Sequence, residues 1–435
     1  MKELDYKKRR DALLACMDDG VSVIAAAEYK TRSNDTEYPF RQDSNFYYLT
    51  GFKEDNALLV LVKSSKETKS ILFVQPKDEK MELWTGKRLG IDGAKKLFTH
   101  HEVYSIESVV QEIEKYLKGR KTLYSNIYAT QTLYANIKDV CKRLVNNRSV
   151  TTSPRIFKDV NELVQNMRLI KSDKEIALIK KALAITKKAH HQAMKMIKEG
   201  MYEYQIQAEI EYVFKFNGAY SDAYTTIVAG GNNANTLHYI NNENTLSNGD
   251  LVLIDAGCEY EMYASDITRT FPVNGTFSSS QAKLYKMILA AQKEIISAIK
   301  PGIVKQDIQT LSETLLTQGL VDLGILKGEV KSLIKAKKHK AFYPHGIGHW
   351  MGLDVHDPCP YKNEAGKEIA FEEGMVLTIE PGIYIDENCL DVPCEYLGMG
   401  IRIEDDILVT SEGCEVLSEG IEKEIVAIQA LMQKS

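Results

Sequence analysis

A glycine-rich stretch close to residue 350 concentrates histidine residues. Residues 344–357 have the sequence PHGIGHWMGLDVHD, and three of the nine histidines, His345, His349 and His356, lie in it. Because proline and glycine interrupt helices, we expect a strand or an irregular turn that presents these imidazoles into a cleft. A glycine-rich loop with partly exposed histidines is the alternative, and this stretch alone does not decide between the two interpretations.

Four acidic residues extend the possible chemistry, because each one ends or interrupts an apolar run that is typical of a strand. Asp255 ends the run LVLID, and Glu380 ends the run MVLTIE. Asp266 lies in a second strand-like run, and Glu404 lies in the alternating run GIRIED. Acidic side chains at the ends of buried strands are uncommon without a partner. A turn over residues 257–262 would bring Asp255 and Asp266 to one face of a sheet.

Each acid also has a purely structural interpretation. Asp266 could cap a turn or pair with Arg269. Glu404 could form a surface pair with Arg402, since strand alternation puts both on one face. Glu380 could simply end a strand before a turn. The five histidines outside the motifs are predicted to be surface or packing residues without a ligand role: His100, His101, His190, His191 and His339.

Four carboxylates at one site would require compensation of their charge. Two unit charges 4 Å apart at an effective dielectric constant of ~20 repel by about 4 kcal/mol. Protonation could relieve this repulsion, and so could cations, since two divalent metal ions would balance four carboxylates. Oxygen-rich ligation with one imidazole suits Mn, Co, Fe or Zn. Two such ions about 3.5–4 Å apart would share a bridging water and lower its pKa, which would supply a hydroxide nucleophile.

The composition is that of a globular protein with two or three domains. The 435 residues are 44% hydrophobic and 26% charged, with a formal net charge of −5. The short basic clusters are too small to indicate nucleic-acid binding. Seven widely spaced cysteines without a CxxC motif predict free thiols in a reducing compartment. Because the sequence contains neither a signal peptide nor a membrane span, we expect a cytoplasmic protein.

The order of the predicted elements indicates two domains. Strands and helices alternate over the first 150 residues, with one strand at residues 46–49, and this pattern predicts an α/β domain. A Ser-x-x-Glu capping box at Ser172 predicts the start of a long helix, so we place the domains at residues 1–170 and 171–435. The second region shows helices followed by strands, twice over. This order predicts an α+β domain with two pseudo-symmetric halves and a cleft between them.

Taken together, the motifs resemble those of the aminopeptidase P (Xaa-Pro aminopeptidase) members of the creatinase-like pita-bread metallopeptidases. The resemblance covers nearly the whole chain and rests above all on HGIGHWMGLDVHD at residues 345–357 and GIRIED at residues 400–405. Two upstream runs, YPFRQDSNF at residues 38–46 and WTGKRLG at residues 84–90, look like the N-terminal domain of that family. Methionine aminopeptidases look like the C-terminal domain alone and are therefore less similar.

The resemblance implies a dinuclear metal site in which Mn is the usual metal. Five positions match the family's ligands: Asp255, Asp266, His349, Glu380 and Glu404. By this resemblance, Asp266 and Glu404 bridge the two ions. Asp255 holds one ion, and His349 with Glu380 holds the other.

The resemblance also implies residues that act on the substrate. His238, His345 and His356 match substrate-site histidines, which can donate to the scissile carbonyl or to the oxyanion. Glu380 would take the proton from the bridging water and pass it to the leaving proline nitrogen. Arg402 would orient the carboxylates.

The implied activity is hydrolysis of the bond between an N-terminal residue and a following proline. The partners would be peptides with proline at the second position, without nucleic acid or membrane. The alternative is prolidase, which cleaves Xaa-Pro dipeptides with the same metal set. A non-catalytic relative would have lost metal ligands, but all five are present here. The family also implies a homo-oligomer, either a dimer or a tetramer, in which Trp84 could reach a neighbouring subunit.

Overall fold

The structure, a computed structural model, describes residues 3–98, 102–129 and 131–433. The chain folds into two compact units, Met1–Arg168 and Leu169–Ser435. The division into an N-terminal domain at residues 1–170 and a catalytic domain at residues 171–435 stays a prediction. His100 and His101, which were expected to be surface or packing residues without a ligand role, lie outside the described residues.

A six-stranded mixed sheet forms the centre of the first unit. Its strands, in spatial order, are Glu102–Ser105, Thr68–Val74, Leu58–Lys63, Gly20–Ala25, Thr122–Ser125 and Ile156–Asp159, and a separate hairpin joins Thr31–Ser33 to Thr36–Glu37. The helices of the first unit are Glu3–Cys16, Ser44–Thr50, Glu79–Thr85, Gly90–Leu97, Val109–Leu117, Thr132–Asn146 and Val160–Arg168. The two central strands are almost entirely buried, as expected for strands that are covered on both faces. The predicted α/β character of this unit is confirmed.

The strand predicted at residues 46–49 is wrong, because these residues lie in the helix Ser44–Thr50. Asp43 caps this helix by accepting a hydrogen bond from the Phe46 amide, and Gly51 ends it with a φ of 69°. All seven helical residues are buried. A short helix that is buried on every side shows no 3.6-residue apolar period, so its sequence cannot be told from that of a buried strand.

Helices and strands succeed each other in two similar blocks in the second unit. The first block has helices Asp173–Met196 and Glu203–Phe216, then strands Ser221–Asp222, Ile227–Gly230, Leu251–Asp255, Cys258–Tyr260, Tyr263–Ala264 and Thr268–Pro272. The second block has helices Ser279–Ser297, Lys305–Asp322 and Val330–Lys335, then strands Val376–Ile379, Gly382–Ile385, Met399–Arg402, Asp405–Val409 and Cys414–Val416, and a final helix Ile425–Met432. The predicted capping box forms, since the Glu175 carboxylate accepts from the Ser172 amide at 2.9 Å. The predicted order of elements is confirmed.

Asp255 ends the central strand of a three-stranded antiparallel sheet. The strand Leu251–Asp255 lies between Ile227–Gly230 and Thr268–Pro272. Within this sheet Asp255 pairs with Thr268 across the strands. The chain therefore does turn back between Asp255 and Asp266, and it brings Asp266 to the end of the same sheet.

Asp266 and Glu404 were expected within continuous strands, and the structure corrects this. Asp266 follows the strand Tyr263–Ala264, and Glu404 follows the strand Met399–Arg402, in each case before the next strand begins. The Glu404 amide donates to the Thr268 carbonyl at 3.1 Å, so the two interruptions lie side by side. Because neither residue lies within a strand, the alternating side-chain directions of a pleated sheet do not determine where these two side chains point.

Two further sequence predictions concern membranes and thiols. Within the part of the chain that the structure describes, no helix is both long and apolar enough to cross a membrane. All seven cysteines are free, as expected from their spacing. Three of them, Cys141, Cys258 and Cys359, are buried.

Candidate metal centre and active site

The nine residues selected from the sequence all line one cavity of about 600 Å³ in the second unit. They are His238, Asp255, Asp266, His345, His349, His356, Glu380, Arg402 and Glu404. The rest of the lining consists of Tyr224, Thr225, Ile227, Leu237, Ile240, Lys305, Gly346, Gly348 and Val355. The described histidines outside the motifs, His190, His191 and His339, do not line it. The fold thus brings together candidate residues that are widely separated in the sequence.

Backbone pairing places His349 beside Glu380. The Thr378 amide donates to the His349 carbonyl, and the Glu380 amide donates to the Ile347 carbonyl, both at 2.9 Å. A Cβ atom on Gly348 would lie 1.9 Å from the Thr378 carbonyl oxygen, so this close approach requires glycine. The glycine-rich stretch is therefore an extended segment packed against a strand, which agrees with the expectation that it is not a helix.

Asp266, His349 and Glu404 form a cluster in which one ligand atom of each residue lies within 4.8 Å of the others. The Nδ1 atom of His349 lies 3.1 Å from the Trp350 carbonyl oxygen. A carbonyl only accepts, so Nδ1 carries the hydrogen and a neutral imidazole keeps a lone pair on Nε2. That Nε2 atom lies 3.3 Å from Asp266 Oδ2. Two acceptors at this distance call for a proton or a cation between them.

Burial and neighbouring carboxylates raise the pKa of three acids of the cavity, Asp255, Glu380 and Glu404. Burial, followed by Asp266, Glu380 and Asp255, raises the pKa of Glu404 well above its usual range. Burial also raises the pKa of Glu380 to about 7, and it raises the pKa of Asp255 despite the nearby Arg402. The acids thus hold more negative charge than the cavity stabilises. Divalent cations would compensate it, so the donor set fits a metal centre.

Asp255 is held from two sides. The Tyr224 hydroxyl donates to Oδ1 at 2.6 Å, and Arg402 Nη2 donates to Oδ2 at 2.5 Å. Arg402 Nε also donates to Thr268 Oγ1 at 3.0 Å, and that hydroxyl donates to Glu404 Oε2 at 2.6 Å. One guanidinium therefore fixes the positions of two carboxylates, directly in one case and through a hydroxyl in the other.

A chain of hydrogen bonds links Arg402 to His345. Arg402 Nη1 donates to the Tyr384 hydroxyl oxygen, and that hydroxyl donates to His345 Nε2, each at 2.9 Å. His345 Nδ1 donates to the Gly346 carbonyl at 2.7 Å. Burial lowers the pKa of His345 to about 4, so the ring is neutral. With both nitrogens engaged, His345 would have to break a hydrogen bond before it donates to a substrate.

His238 and His356 are better placed to donate to a ligand. Neither imidazole has a hydrogen-bond partner among the residues that the structure describes. The ring of His356 packs edge-on against that of His349, with centroids 4.1 Å apart. Burial, followed by the neighbouring His349 ring, lowers the pKa of His356. Of the three histidines expected on the substrate side, these two line the cavity without a hydrogen-bond partner among the described residues.

Sequence reasoning missed several residues of the cavity. Tyr224 follows no motif and precedes the strand Ile227–Gly230, so only the fold reveals its hydroxyl beside Asp255. Thr268, which donates to Glu404 from outside the cavity lining, was one of many polar residues in an apolar run. Lys305 lies at the start of a helix, where a lysine carries no distinct pattern.

Replacing Tyr224 by phenylalanine should weaken metal binding about 10- to 100-fold, because a partner that orients a ligand is removed. The affinity of the metal-free protein for Mn²⁺, measured by isothermal titration calorimetry, checks this. The matched control is Tyr285→Phe, which removes a buried hydroxyl that donates to the Lys423 carbonyl at 2.8 Å, outside the cavity lining. Equal affinities in both variants would contradict the role of Tyr224.

Comparison with known proteins places this chain and its fold in a class of metal-dependent peptidases. The family model for metallopeptidase family M24 matches residues 177–411, and the model for the aminopeptidase P N-terminal domain matches residues 6–124. The chain belongs to metallopeptidase family M24 and carries an aminopeptidase P N-terminal domain. The expected family and its pita-bread catalytic fold are thereby confirmed.

Similar proteins share nearly the full length of the chain. An Xaa-Pro aminopeptidase of Haemophilus influenzae is 44% identical over 98% of this chain and 97% of its own length. The structure of aminopeptidase P from E. coli with the inhibitor Pro-Leu superposes with a TM-score of 0.95 at 40% identity, covering 100% of this chain and 99% of the other. A Zn-substituted form of the E. coli protein in complex with product gives a TM-score of 0.95 at 39% identity, with the same coverage.

Proposed function

We propose that this chain is an aminopeptidase that hydrolyses the peptide bond between an N-terminal residue and a following proline. The observation that carries the proposal is the cavity in which Asp266, His349 and Glu404 converge beside Asp255 and Glu380. Membership of a metallopeptidase family supports hydrolysis at this place. The full-length similarity to Xaa-Pro aminopeptidases supports the preference for proline at the second position.

For the cofactor we propose two divalent metal ions, with Mn²⁺ as the native metal. Asp266 and Glu404, whose carboxylate oxygens converge with the His349 ring, would contribute ligands to these ions. Asp255 would hold one ion, and His349 with Glu380 would hold the other. Two ions held in this way would lower the pKa of a shared water towards neutrality.

The protein's own groups would then position the substrate and move one proton. Glu380 would accept the proton of the attacking water and deliver it to the nitrogen of the leaving proline. His238 and His356, whose ring nitrogens are free, would donate to the carbonyl oxygen as it gains charge. Arg402 would keep Asp255 in place through its 2.5 Å hydrogen bond. Tyr384 would hold the neutral His345.

The proposed activity predicts the outcome of one assay series. The metal-loaded protein should release alanine from Ala-Pro-Ala and leave the dipeptide Ala-Pro uncleaved. A strong chelator should lower the rate at least about 100-fold, and added Mn²⁺ should restore it, because the metals supply several kcal/mol of transition-state stabilisation. Amino-acid analysis of the products measures both effects, with metal content determined in parallel.

Two results of that series would count against the proposal. Cleavage of the dipeptide alone would establish the prolidase alternative. Full activity after verified removal of metal would contradict the metal mechanism. A cytoplasmic location stays a prediction, as does assembly into a dimer or tetramer. In the structure the Trp84 side chain is 83% exposed, which leaves it accessible to a second subunit.

A further inference from the structure

One cationic side chain of the cavity takes no part in the arrangement described above. Lys305 begins the helix Lys305–Asp322 and lines the same cavity as Glu380. The other permanently charged cation of the lining, Arg402, is bound to Asp255. Lys305 is therefore the cation of this cavity that remains available to a ligand.

The environment of Lys305 offers it no anionic partner. Its ammonium makes no ion pair or hydrogen bond with any of the residues described in the structure. Its Nζ atom lies 3.9 Å from the centroid of the Tyr361 ring, and the residue is half-buried. Burial lowers the pKa of Lys305, while Glu380 and Glu368 oppose that change. Of these two, Glu368 already pairs with Lys362 at 3.5 Å.

Stability does not account for a lysine at this position. A half-buried cation without a counterion costs free energy. A positive charge in the first turn also gains nothing from the helix dipole, which favours negative charge there. The contact with Tyr361 offsets part of this cost, because an ammonium over an aromatic ring gains about 0.5–2 kcal/mol. The position suits a group that meets an anion when a ligand is bound.

We infer that Lys305 binds a carboxylate on the residue that follows the proline of the substrate. This inference rests on the proposed function, in which Glu380 delivers a proton to the leaving proline nitrogen. The leaving part of the peptide then lies on the Glu380 side of the cavity. Lys305 lines the same cavity, close enough to Glu380 for that carboxylate to oppose the lowering of the Lys305 pKa. An extended chain advances about 3.3–3.6 Å per residue, so a carboxylate one residue beyond the proline lies about 7 Å from that nitrogen.

This carboxylate can come from two sources. In a tripeptide it is the C-terminal carboxylate, and binding it would make short peptides preferred substrates. In a longer peptide it is the side chain of an aspartate at the third position. Both present the same chemistry to the ammonium, and a pair of matched substrates separates them.

The test compares KM values for the full-length protein loaded with Mn²⁺. Ala-Pro-Ala is paired with its C-terminal amide, and Ala-Pro-Asp-amide is paired with Ala-Pro-Asn-amide. In the pair that carries the carboxylate bound by Lys305, the charged substrate should have a KM about fivefold lower than its neutral partner, with kcat unchanged. This difference is the equivalent of about 1 kcal/mol. Lys305→Met should abolish the difference, whereas Lys305→Arg should keep it. High salt should reduce it in the wild type.

A surface lysine provides the matched control. Lys180 pairs with Glu415 at 2.7 Å and does not line the cavity, so Lys180→Met should behave like the wild type. Equal KM values within both substrate pairs in the wild type would overturn the inference and leave the proposed function standing. A preference that survives in Lys305→Met would also overturn it. Failure to cleave any of the four substrates would instead overturn the proposed function.

Discussion

Replacing Glu404 by glutamine should remove the metals and lower kcat/KM at least about 1,000-fold, the equivalent of about 4 kcal/mol of transition-state stabilisation. The substitution keeps the size of the side chain and removes the charge of one proposed bridging ligand. Glu404 is 2% exposed and accepts from Thr268 at 2.6 Å, so the glutamine stays in the same place. Metal analysis after dialysis, followed by kinetics on Ala-Pro-Ala, measures both effects.

The same substitution should not lower the stability of the metal-free protein. Burial and the neighbouring carboxylates raise the pKa of Glu404, which means that its charge is unfavourable in the folded state. A neutral amide at this position removes that repulsion, so the metal-free variant should unfold at the wild-type temperature or above it. The wild type alone should gain stability from metal, by about 2.7 kcal/mol when the free ion is at 100 times its Kd.

Glu203→Gln is the matched control, because Glu203 is a second fully buried glutamate and lies outside the cavity lining. Its carboxylate accepts from the amides of Gly230 and Asn244 at 2.8 and 3.0 Å, and from Tyr239 at 2.8 Å. An amide nitrogen among these donors should cost about 1–3 kcal/mol of stability and leave metal binding intact. Wild-type metal affinity in Glu404→Gln would refute the assignment of Glu404 as a ligand.

The sequence predicted the parts of the site that depend on local pattern. The apolar run before Asp255 forms the strand Leu251–Asp255, because four buried side chains precede one acid that needs a partner. The glycines around His349 exclude a helix, as the structure shows. These features follow from the free-energy cost of burying a charge and from the conformational freedom of the glycine backbone. Both effects depend only on residues that are close in the sequence.

The sequence could not give features that distant segments determine. Asp266 and Glu404 lie in apolar patterns that continue through the strand interruptions, and at Glu404 the backbone amide bonds to the Thr268 carbonyl of a distant segment. Tyr224 reaches Asp255 across 31 residues of sequence. Nor did any pattern indicate that Lys305 faces the cavity, because its helix begins 75 residues before Glu380 in a separate segment.

Replacing Glu380 by glutamine should lower kcat about 100- to 10,000-fold even when metal is supplied in excess, because a proton carrier is lost. Glu380 is expected to be both a ligand and a proton carrier, so loss of activity alone does not separate the two roles. His349→Ala supplies the comparison, because His349 is expected to hold the same ion and to carry no proton. Its Nε2 atom lies 4.0 Å from Glu380 Oε1.

The two variants should therefore respond differently to added Mn²⁺. In His349→Ala, a high metal concentration should refill the site and restore part of the activity, since the carboxylate that moves the proton is still present. In Glu380→Gln, refilling the site should leave kcat low while KM for Ala-Pro-Ala changes little. Metal stoichiometry measured alongside kcat distinguishes these outcomes. A Glu380→Gln protein that regains wild-type kcat at full metal occupancy would reduce Glu380 to a ligand and leave the proton to another group.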